Sequence, residues 1–224
     1  MILVAVDTST RWAGVGLQVE SGARTQMIWR SDQNHGRELM PAIVELMARA
    51  NLRPPDITHL AVALGPGGFS AVRVGISAVI GLSMPGDLPV AGIPTHSIEA
   101  LPFLESASAE TPVVSLIPAG RNEVAWARFD NPDDTTAAAT GVSAPGKLSE
   151  LVPPGTLFCG EAAELIADHV AADRILVDTT PTRSPIALLE LATASFDDGA
   201  GTSARVLKPI YARSPSITMQ RPPE

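Results

Sequence analysis

Short apolar runs alternate with longer amphipathic stretches along the chain, and this pattern predicts strands and helices. Three apolar segments at the start, residues 2–6, 12–19 and 25–29, are separated by short turns and predict an antiparallel meander. Two more strands are predicted at residues 60–64 and 90–93, each flanked by helical patterns. The first hundred residues therefore predict a meander followed by α/β crossover units, the order of a mixed sheet covered by helices.

A glycine-rich turn and the helix after it form the most apolar stretch of the sequence. Residues 65–68, Gly-Pro-Gly-Gly, end the preceding strand, and residues 71–83 continue as a helix in which Arg73 is the only charged side chain. Ser70 is predicted to be the N-cap of this helix. A helix without a polar face must be covered on all sides, by its own domain or by a partner. Small side chains on one face would let a second helix approach closely: Ala71, Gly75, Ala78 and Gly81.

A second broad apolar helix is predicted at residues 36–50. Its hydrophobic side chains recur with the period of a helix: Leu39, Met40, Ile43, Val44, Leu46, Met47 and Ala50. Pro41 in its interior costs about 3 kcal/mol unless the helix begins or kinks there. The flexible side chains of Met40 and Met47 suit an adaptable protein interface, and the alternative is an ordinary hydrophobic core.

The second half of the chain has weaker patterns. A polar linker at residues 106–112 predicts a boundary between two lobes, residues 1–105 with the two apolar helices and residues 106–224. The elements predicted beyond the boundary are strands at 113–117, 123–129, 156–159 and 174–177 and helices at 160–171 and 184–194, the last with Pro185 in its first turn. A tail begins at Pro209, and its return to the first lobe is left open.

Composition and charge restrict the kinds of partner. A net charge of −8 and an aromatic content of 4% argue against direct nucleic-acid binding, so tRNA or DNA is expected only through a partner. The single cysteine, Cys159, allows no internal disulfide and fits a reducing, cytoplasmic setting. No apolar run is long enough for a membrane-spanning helix, and no membrane association is expected.

Two groups of residues are candidates for chemistry. Asp7, Thr8 and Ser9 follow the first strand in a strand–turn–strand order that resembles the phosphate- and metal-binding turn of the actin-like superfamily. The alternative is a structural turn in which Asp7 and Ser9 bond nearby backbone N–H groups. Four histidines are scattered without the spacing of a metal pair: His35, His59, His96 and His169. No metal site is expected, and a lone histidine beside a helix start is expected to form hydrogen bonds.

Several of these segments together resemble the TsaB (YeaZ) family, the bacterial partners of the threonylcarbamoyl-transferring subunit TsaD. The strongest likeness is at residues 65–75, Gly-Pro-Gly-Gly-Phe-Ser-Ala-Val-Arg-Val-Gly, which are similar to the family's Gly-Pro-Gly-Ser-Phe-Thr-Gly-Leu-Arg-Ile-Gly segment. Weaker likenesses lie at residues 7–10, 34–41, 121–126 and 209–213.

This resemblance implies a two-lobed α/β fold of the actin-like class (ASKHA, ribonuclease H-like), with mixed sheets flanked by helices. It also implies a non-catalytic subunit that binds TsaD and supports threonylcarbamoyl transfer to adenosine 37 of tRNA. A TsaE-like ATPase is expected through the complex, and a homodimer when the protein is alone. No cofactor is expected, and a nucleotide at a partner interface is left open. The partner surface is expected on the two apolar helices: Leu39, Met40, Ile43, Met47, Arg73, Gly75 and Ala78.

The alternative function is an ATP-dependent enzyme or hydrolase of the same superfamily that uses Asp7. Such an enzyme needs a second acidic phosphate turn. Residues 118–120, Pro-Ala-Gly, stand where the family usually has Asp-Ala-Arg, so the acidic residue of that turn is absent. A further hypothesis, a homodimeric scaffold without a TsaD link, uses the same apolar helices, and the sequence does not separate it from the partner hypothesis.

Overall fold

Two mixed β-sheets, each flanked by helices, make up the protein. The computed structural model describes residues 1–104, 107–108, 111–120, 122–176 and 181–213. The predicted boundary at residues 105 and 106 lies outside these residues, and the division into two lobes at that point stays a prediction. Among the described residues, no helix combines the length and the hydrophobicity needed to cross a membrane.

The elements follow one another in a β-rich α/β order. In sequence they are β1 (Leu3–Asp7), β2 (Trp12–Gln18), β3 (Arg24–Arg30), α1 (His35–Arg49), β4 (His59–Ala63), α2 (Phe69–Ser83), β5 (Pro89–Ile93), α3 (Thr95–Leu104), β6 (Val113–Pro118), β7 (Val124–Phe129), β8 (Ala139–Ser143), α4 (Leu148–Leu151), β9 (Leu157–Cys159), β10 (Ile175–Leu176), α5 (Pro185–Asp197) and β11 (Thr202–Ser203).

The first sheet has the strand order β11-β5-β4-β1-β2-β3. β1, β2 and β3 form the predicted antiparallel meander, in which Leu3 lies opposite Gln18 and Asp7 lies opposite Gly14. β1, β4 and β5 run parallel to one another, which requires crossover connections, and α1 and α2 lie within these connections. The parallel strands end at the same edge of the sheet, and Asp7 lies at that edge.

Helices cover both faces of this sheet. Along β1, Val4 and Val6 pack with the side chains of α1 and α2, whereas Leu3 and Ala5 pack with those of α3 and α5. Because both faces are covered, every residue of β1 is buried, and the strand is apolar except for its last residue, Asp7. The carboxylate of Asp7 thus lies at the end of β1, at the edge of the hydrophobic core.

The second sheet has the order β10-β9-β6-β7-β8. The sequence pattern does not predict β8, because this edge strand has only one large apolar side chain, Val142. The helix predicted at residues 160–171 is wrong, since only the short 3-10 turn Ala163–Ile166 forms there. Gly160 has a φ of +102°, so the chain leaves β9 in a tight turn instead of continuing into a helix.

The helix starts give one correction and one confirmation. α2 begins at Phe69, and its N-cap is Gly68 instead of the predicted Ser70, which lies inside the first turn. α5 begins as predicted, with Pro185 in its first turn and Ser184 as an N-cap whose side chain accepts a hydrogen bond from the backbone. The glycine at the start of α2 leaves its first backbone N–H groups without a side-chain cap.

Candidate functional site

The predicted phosphate turn, residues 7–9, lies at the end of β1 and is buried. Both carboxylate oxygens of Asp7 already have partners. Oδ1 accepts a hydrogen bond from the backbone N–H of Ser9 (2.8 Å), and Oδ2 accepts one from Nε of Arg183 (2.7 Å). The first contact is the Asx turn that the sequence leaves open as the structural alternative. The carboxylate that could contact a phosphate-bound metal is therefore bound by a guanidinium of the same chain.

Thr8 and Ser9 connect this turn to the helices that follow. The Thr8 hydroxyl donates to the carbonyl of Ala71 (2.7 Å) and accepts from the N–H of Gly75 (3.1 Å). It is therefore hydrogen-bonded twice to the backbone of α2. A Cβ at Gly75 would lie 2.7 Å from Thr8 Oγ1, and the glycine leaves the room that this hydroxyl occupies. Ser9 Oγ forms a hydrogen bond with Thr95 Oγ1 at the start of α3 (2.9 Å). The hydroxyls of Thr8 and Ser9 thus form their hydrogen bonds within the protein.

Arg183 is the centre of a buried cluster of charges. Its guanidinium lies 2.7 Å from Asp7, 2.9 Å from Glu99 and 3.2 Å from Glu161. It also donates to the hydroxyl of Thr10 (2.7 Å), which donates in turn to Glu161 (2.6 Å). Arg183 is 4% exposed and Glu99 is fully buried, so each charge depends on the others for the interactions that water would provide. Because Glu161 follows β9, the cluster joins the second sheet to the first.

The cluster changes the protonation behaviour of its members. Burial lowers the pKa of the Arg183 guanidinium, but the three carboxylates outweigh this effect and raise that pKa above its ordinary value, so the side chain stays charged. Burial raises the pKa of Glu99 above its ordinary value, although Arg183 opposes the shift. The negative charge of the neighbouring Glu161 also contributes to the raised pKa of Glu99.

The sequence alone does not predict the role of Arg183. It lies 176 residues from Asp7 and outside the helices and strands, where no periodic pattern marks it. The available signal is Glu99, the only carboxylate in the apolar helix α3. A carboxylate on a buried helix face requires a cation or a proton, so Glu99 predicts a partner without identifying it.

A cleft of about 700 Å³ opens beside this cluster. Its lining includes Thr10, Arg11, His35, Gly68 and Glu161. His35 is buried, and its Nε2 donates to the backbone carbonyl of Thr10 (2.8 Å), which is the hydrogen-bonding role expected for a lone histidine beside a helix start. Within the described ranges, no three His, Cys, Asp or Glu side chains are grouped so that they could hold a metal ion.

The second candidate site is a groove of about 420 Å³ on the surface between α1 and α2, here called the α1/α2 groove. Its lining comes from both helices: Gly36, Leu39, Met40, Ser70, Arg73, Val74, Ser77 and Ala78. Large apolar side chains are exposed on the same two helices, namely Met40 (39%), Val44 (48%) and Phe69 (45%). Apolar side chains that are exposed as a group mark a surface that can bind another protein.

The predicted partner residues lie in the core or in this groove, and Leu39 belongs to both. Leu39, Ile43 and Met47 are each 1% exposed and pack in the core under α1. Gly75 is buried against Thr8. The predicted residues that line the groove and reach the surface are Met40, Arg73 and Ala78. As contacts of a partner, all seven residues stay predictions.

Comparison with known proteins gives a family and several relatives. The family model described as TsaD: tRNA N6-adenosine threonylcarbamoyltransferase matches residues 30–199. The tRNA threonylcarbamoyladenosine biosynthesis protein TsaB of Haemophilus influenzae is 36% identical over 124 residues, which are 55% of this chain and 52% of that protein. The TsaB of Escherichia coli is 28% identical over 134 residues, which are 60% and 57% of the two chains. The matches thus span about half the length of these curated relatives.

Solved structures show the same fold. YeaZ from Pseudomonas aeruginosa aligns with a TM-score of 0.80 at 24% identity, over 94% of this chain and 99% of that one. A protein described as similar to peptidase YeaZ from Pseudomonas aeruginosa aligns with a TM-score of 0.78 at 25% identity, over 95% and 99%. Together with the two mixed sheets, these likenesses confirm the actin-like, two-lobed fold class predicted from the sequence.

Proposed function

The chain belongs to the TsaD family, and within it to the TsaB (YeaZ) proteins, and from this premise we propose that it takes part in tRNA threonylcarbamoyladenosine biosynthesis. In this proposal it is a non-catalytic subunit that binds a TsaD-like transferase and supports threonylcarbamoyl transfer to tRNA. The names of its relatives support this division of labour, because the TsaB relatives are called biosynthesis proteins and the transferase activity is named for TsaD.

The observation that carries the proposal is the α1/α2 groove together with the exposed apolar side chains of the two helices that form it. Met40, Val44 and Phe69 are between 39% and 48% exposed, and burial of apolar surface is favourable by roughly 25 cal/mol per Å². Ala78 and Gly81 are small and accessible on α2, so a partner helix could approach its backbone closely. A protein partner with an apolar helix fits this surface better than a small polar substrate does.

The turn at Asp7 supports the non-catalytic part of the proposal. An ATP-dependent enzyme of this superfamily would use the Asp7 carboxylate for a metal or phosphate. In this chain Asp7 is 4% exposed and bound to Arg183, so such a ligand would have to displace a buried ion pair. The energetic cost of that displacement favours a structural role for the turn.

The remaining partners belong to the same proposal. We propose that the protein alone forms a homodimer, because a second copy would cover the exposed apolar side chains of α1 and α2. A TsaE-like ATPase would join through the complex, and the acidic chain, with its net charge of −8, would reach tRNA only through its partner. For a nucleotide at a partner interface, which the sequence leaves open, we propose the cleft of about 700 Å³ beside Glu161 as its location.

Size-exclusion chromatography with light scattering tests this function, on the protein alone and mixed with the TsaD-like subunit of the same organism. We expect a heterocomplex that forms at the expense of any homodimer. Ala78→Glu places a charge in the groove and is expected to abolish both complexes while the monomer stays folded. The matched control is Leu165→Glu, at an apolar side chain that is 53% exposed outside the groove, and it is expected to change neither complex.

Each outcome decides a part of the proposal. A heterocomplex that survives Ala78→Glu contradicts the assigned surface. If the wild type forms no heterocomplex under any nucleotide condition, the partner role is contradicted and the enzyme alternative gains support. That alternative is tested by ATP hydrolysis, which would have to be present in the wild type and lost in Asp7→Asn.

A further inference from the structure

The C-terminal segment, defined here as residues 209–213, crosses the glycine-rich turn and reaches the first turn of α2. The backbone N–H of Ile210 donates to the carbonyl of Leu64, directly after β4 (2.7 Å). Gly65 has a φ of +98°, and a Cβ at this position would overlap the carbonyl of Ile210. The glycine therefore permits the close crossing that places the segment against α2.

Tyr211, within this segment, contacts two side chains of α2. Its ring stacks on that of Phe69, with ring centroids 5.1 Å apart and an angle of 26° between the planes. Its hydroxyl accepts a hydrogen bond from Nε of Arg73 (2.7 Å). The guanidinium carbon of Arg73 also lies 3.7 Å from the centroid of the Phe69 ring, which is a cation–π contact. Arg73 is thus held in one orientation although its side chain is exposed.

The charge of Arg73 stands at the edge of an apolar surface. Arg73 lines the α1/α2 groove and is the only charged residue of α2. In the described part of the chain it takes part in no ion pair. Because Tyr211 uses Nε, the two terminal nitrogens remain for a further partner, and an arginine binds the two oxygens of a carboxylate with such a pair of donors.

We propose that Tyr211 positions Arg73 to receive a carboxylate of the partner protein at the rim of the α1/α2 groove, an inference that rests on the proposed function. The partner helix is apolar along the groove and carries one Asp or Glu where it passes Arg73. The stacking and the hydrogen bond restrict the rotamers of Arg73 before the complex forms, so less side-chain freedom is lost on binding. Tyr211 acts through Arg73 and is a positioning residue.

The test is a calorimetric titration of the full chain with the TsaD-like subunit, at about 50 mM and about 300 mM salt. Arg73→Gln is expected to weaken binding by about tenfold or more at low salt and to reduce its salt dependence. Tyr211→Phe keeps the ring but loses the hydroxyl, and it is expected to weaken binding by about three- to tenfold. The double variant should bind no more weakly than Arg73→Gln alone, because Tyr211 acts through Arg73. Arg205→Gln, at another exposed arginine, is the matched control and should bind as the wild type does.

Three results would overturn the inference. The first is that Tyr211→Phe binds the partner as tightly as the wild type does. The second is that it lowers the melting temperature without changing the affinity. The third is that the affinity losses of Tyr211→Phe and Arg73→Gln add up in the double variant. If Ala78→Glu abolishes the complex while Tyr211→Phe and Arg73→Gln bind normally, this inference fails and the proposed function stands. Absence of any wild-type complex overturns both.

Discussion

The cluster around Arg183 and the α1/α2 groove distribute charge and apolar surface in opposite ways. The charged side chains of the cluster are buried, or partly buried in the case of Glu161, and pair with Arg183, whereas Met40, Val44 and Phe69 are exposed. A buried charge that has its partners gains nothing from a ligand, because the ligand must displace one of them. An exposed apolar side chain gains from any contact that removes it from water. We therefore propose that partners bind at the outer helices and not at the turn at Asp7.

The largest expected effect is the loss of the cation inside the cluster. Arg183→Met leaves Asp7 and Glu99 buried without their counter-charge, and we expect it to lower the free energy of unfolding by about 3–5 kcal/mol. Urea denaturation measures this loss. Arg205→Met, at an exposed arginine, is the control and should change stability by less than about 0.5 kcal/mol. A loss below about 1 kcal/mol for Arg183→Met would show that the cluster is not closed to water.

A second effect, of a few kcal/mol, depends on pH and concerns the histidine of α3 beside the cluster. Burial lowers the pKa of His96 from 6.5 to about 3, and the charge of Arg183 adds to the shift. Between these values the unfolded chain binds a proton that the folded chain does not, so His96 makes stability fall as the pH decreases below about 6.5. The slope from this group approaches about 1.4 kcal/mol per pH unit.

His96→Gln is expected to remove this contribution. Chemical denaturation of both proteins at several pH values between about 4.5 and 7.5 should give curves that converge as the pH falls. Curves that stay parallel over this range would show that His96 has the same pKa in the folded and unfolded states. The comparison of two proteins at each pH cancels the titration of the carboxylates that they share.

A third effect separates the inner from the outer side of α2. Gly75→Ala places a Cβ within 2.7 Å of Thr8 Oγ1, and we expect a loss of about 1–3 kcal/mol in the free energy of unfolding. Gly81 lies in the same helix with open space around it, so Gly81→Ala is the matched control and should raise stability by about 0.5–1 kcal/mol. Thermal and urea unfolding of the pair give the sign of each change. Equal effects at both sites would contradict the packing of Thr8 against α2.

The smallest effect on stability is expected at the surface of α1. Val44 is 48% exposed, so Val44→Ser should change the free energy of unfolding by less than about 0.5 kcal/mol. In the proposed complex the same change removes apolar contact, and it should weaken partner binding by about fivefold. Ala48→Ser, at another exposed position of α1, is the control for both measurements. A loss of stability as large as the loss of binding would place Val44 in the core instead.

The parts of the fold that the sequence predicts are those with a strong period. The meander of β1 to β3 and the helices α1 and α2 follow from regular hydrophobic patterns bounded by turns. The edge strand β8 has too few apolar residues to be recognised, and the apolar residues at 160–171 fit a helix equally well although they fold as turns. Local patterns fail where long-range contacts with the second sheet decide the conformation.

The candidate sites show the same limit. The period of α1 predicts that Leu39, Ile43 and Met47 share one face, but it does not decide whether that face meets the protein's own sheet or a partner, and in the structure it meets the sheet. The role of Asp7 depends on Arg183, which is distant in sequence and belongs to no periodic pattern. The sequence identifies the turn that contains Asp7, but only the tertiary structure shows that Arg183 binds its carboxylate.

The position of Glu161 has a mechanical consequence. This side chain follows β9 of the second sheet and is bound to Arg183 and Thr10 across the cleft. A hinge motion that separated the two sheets about the cleft would have to break these contacts. While these contacts hold, α1 and α2 keep one orientation relative to the second sheet.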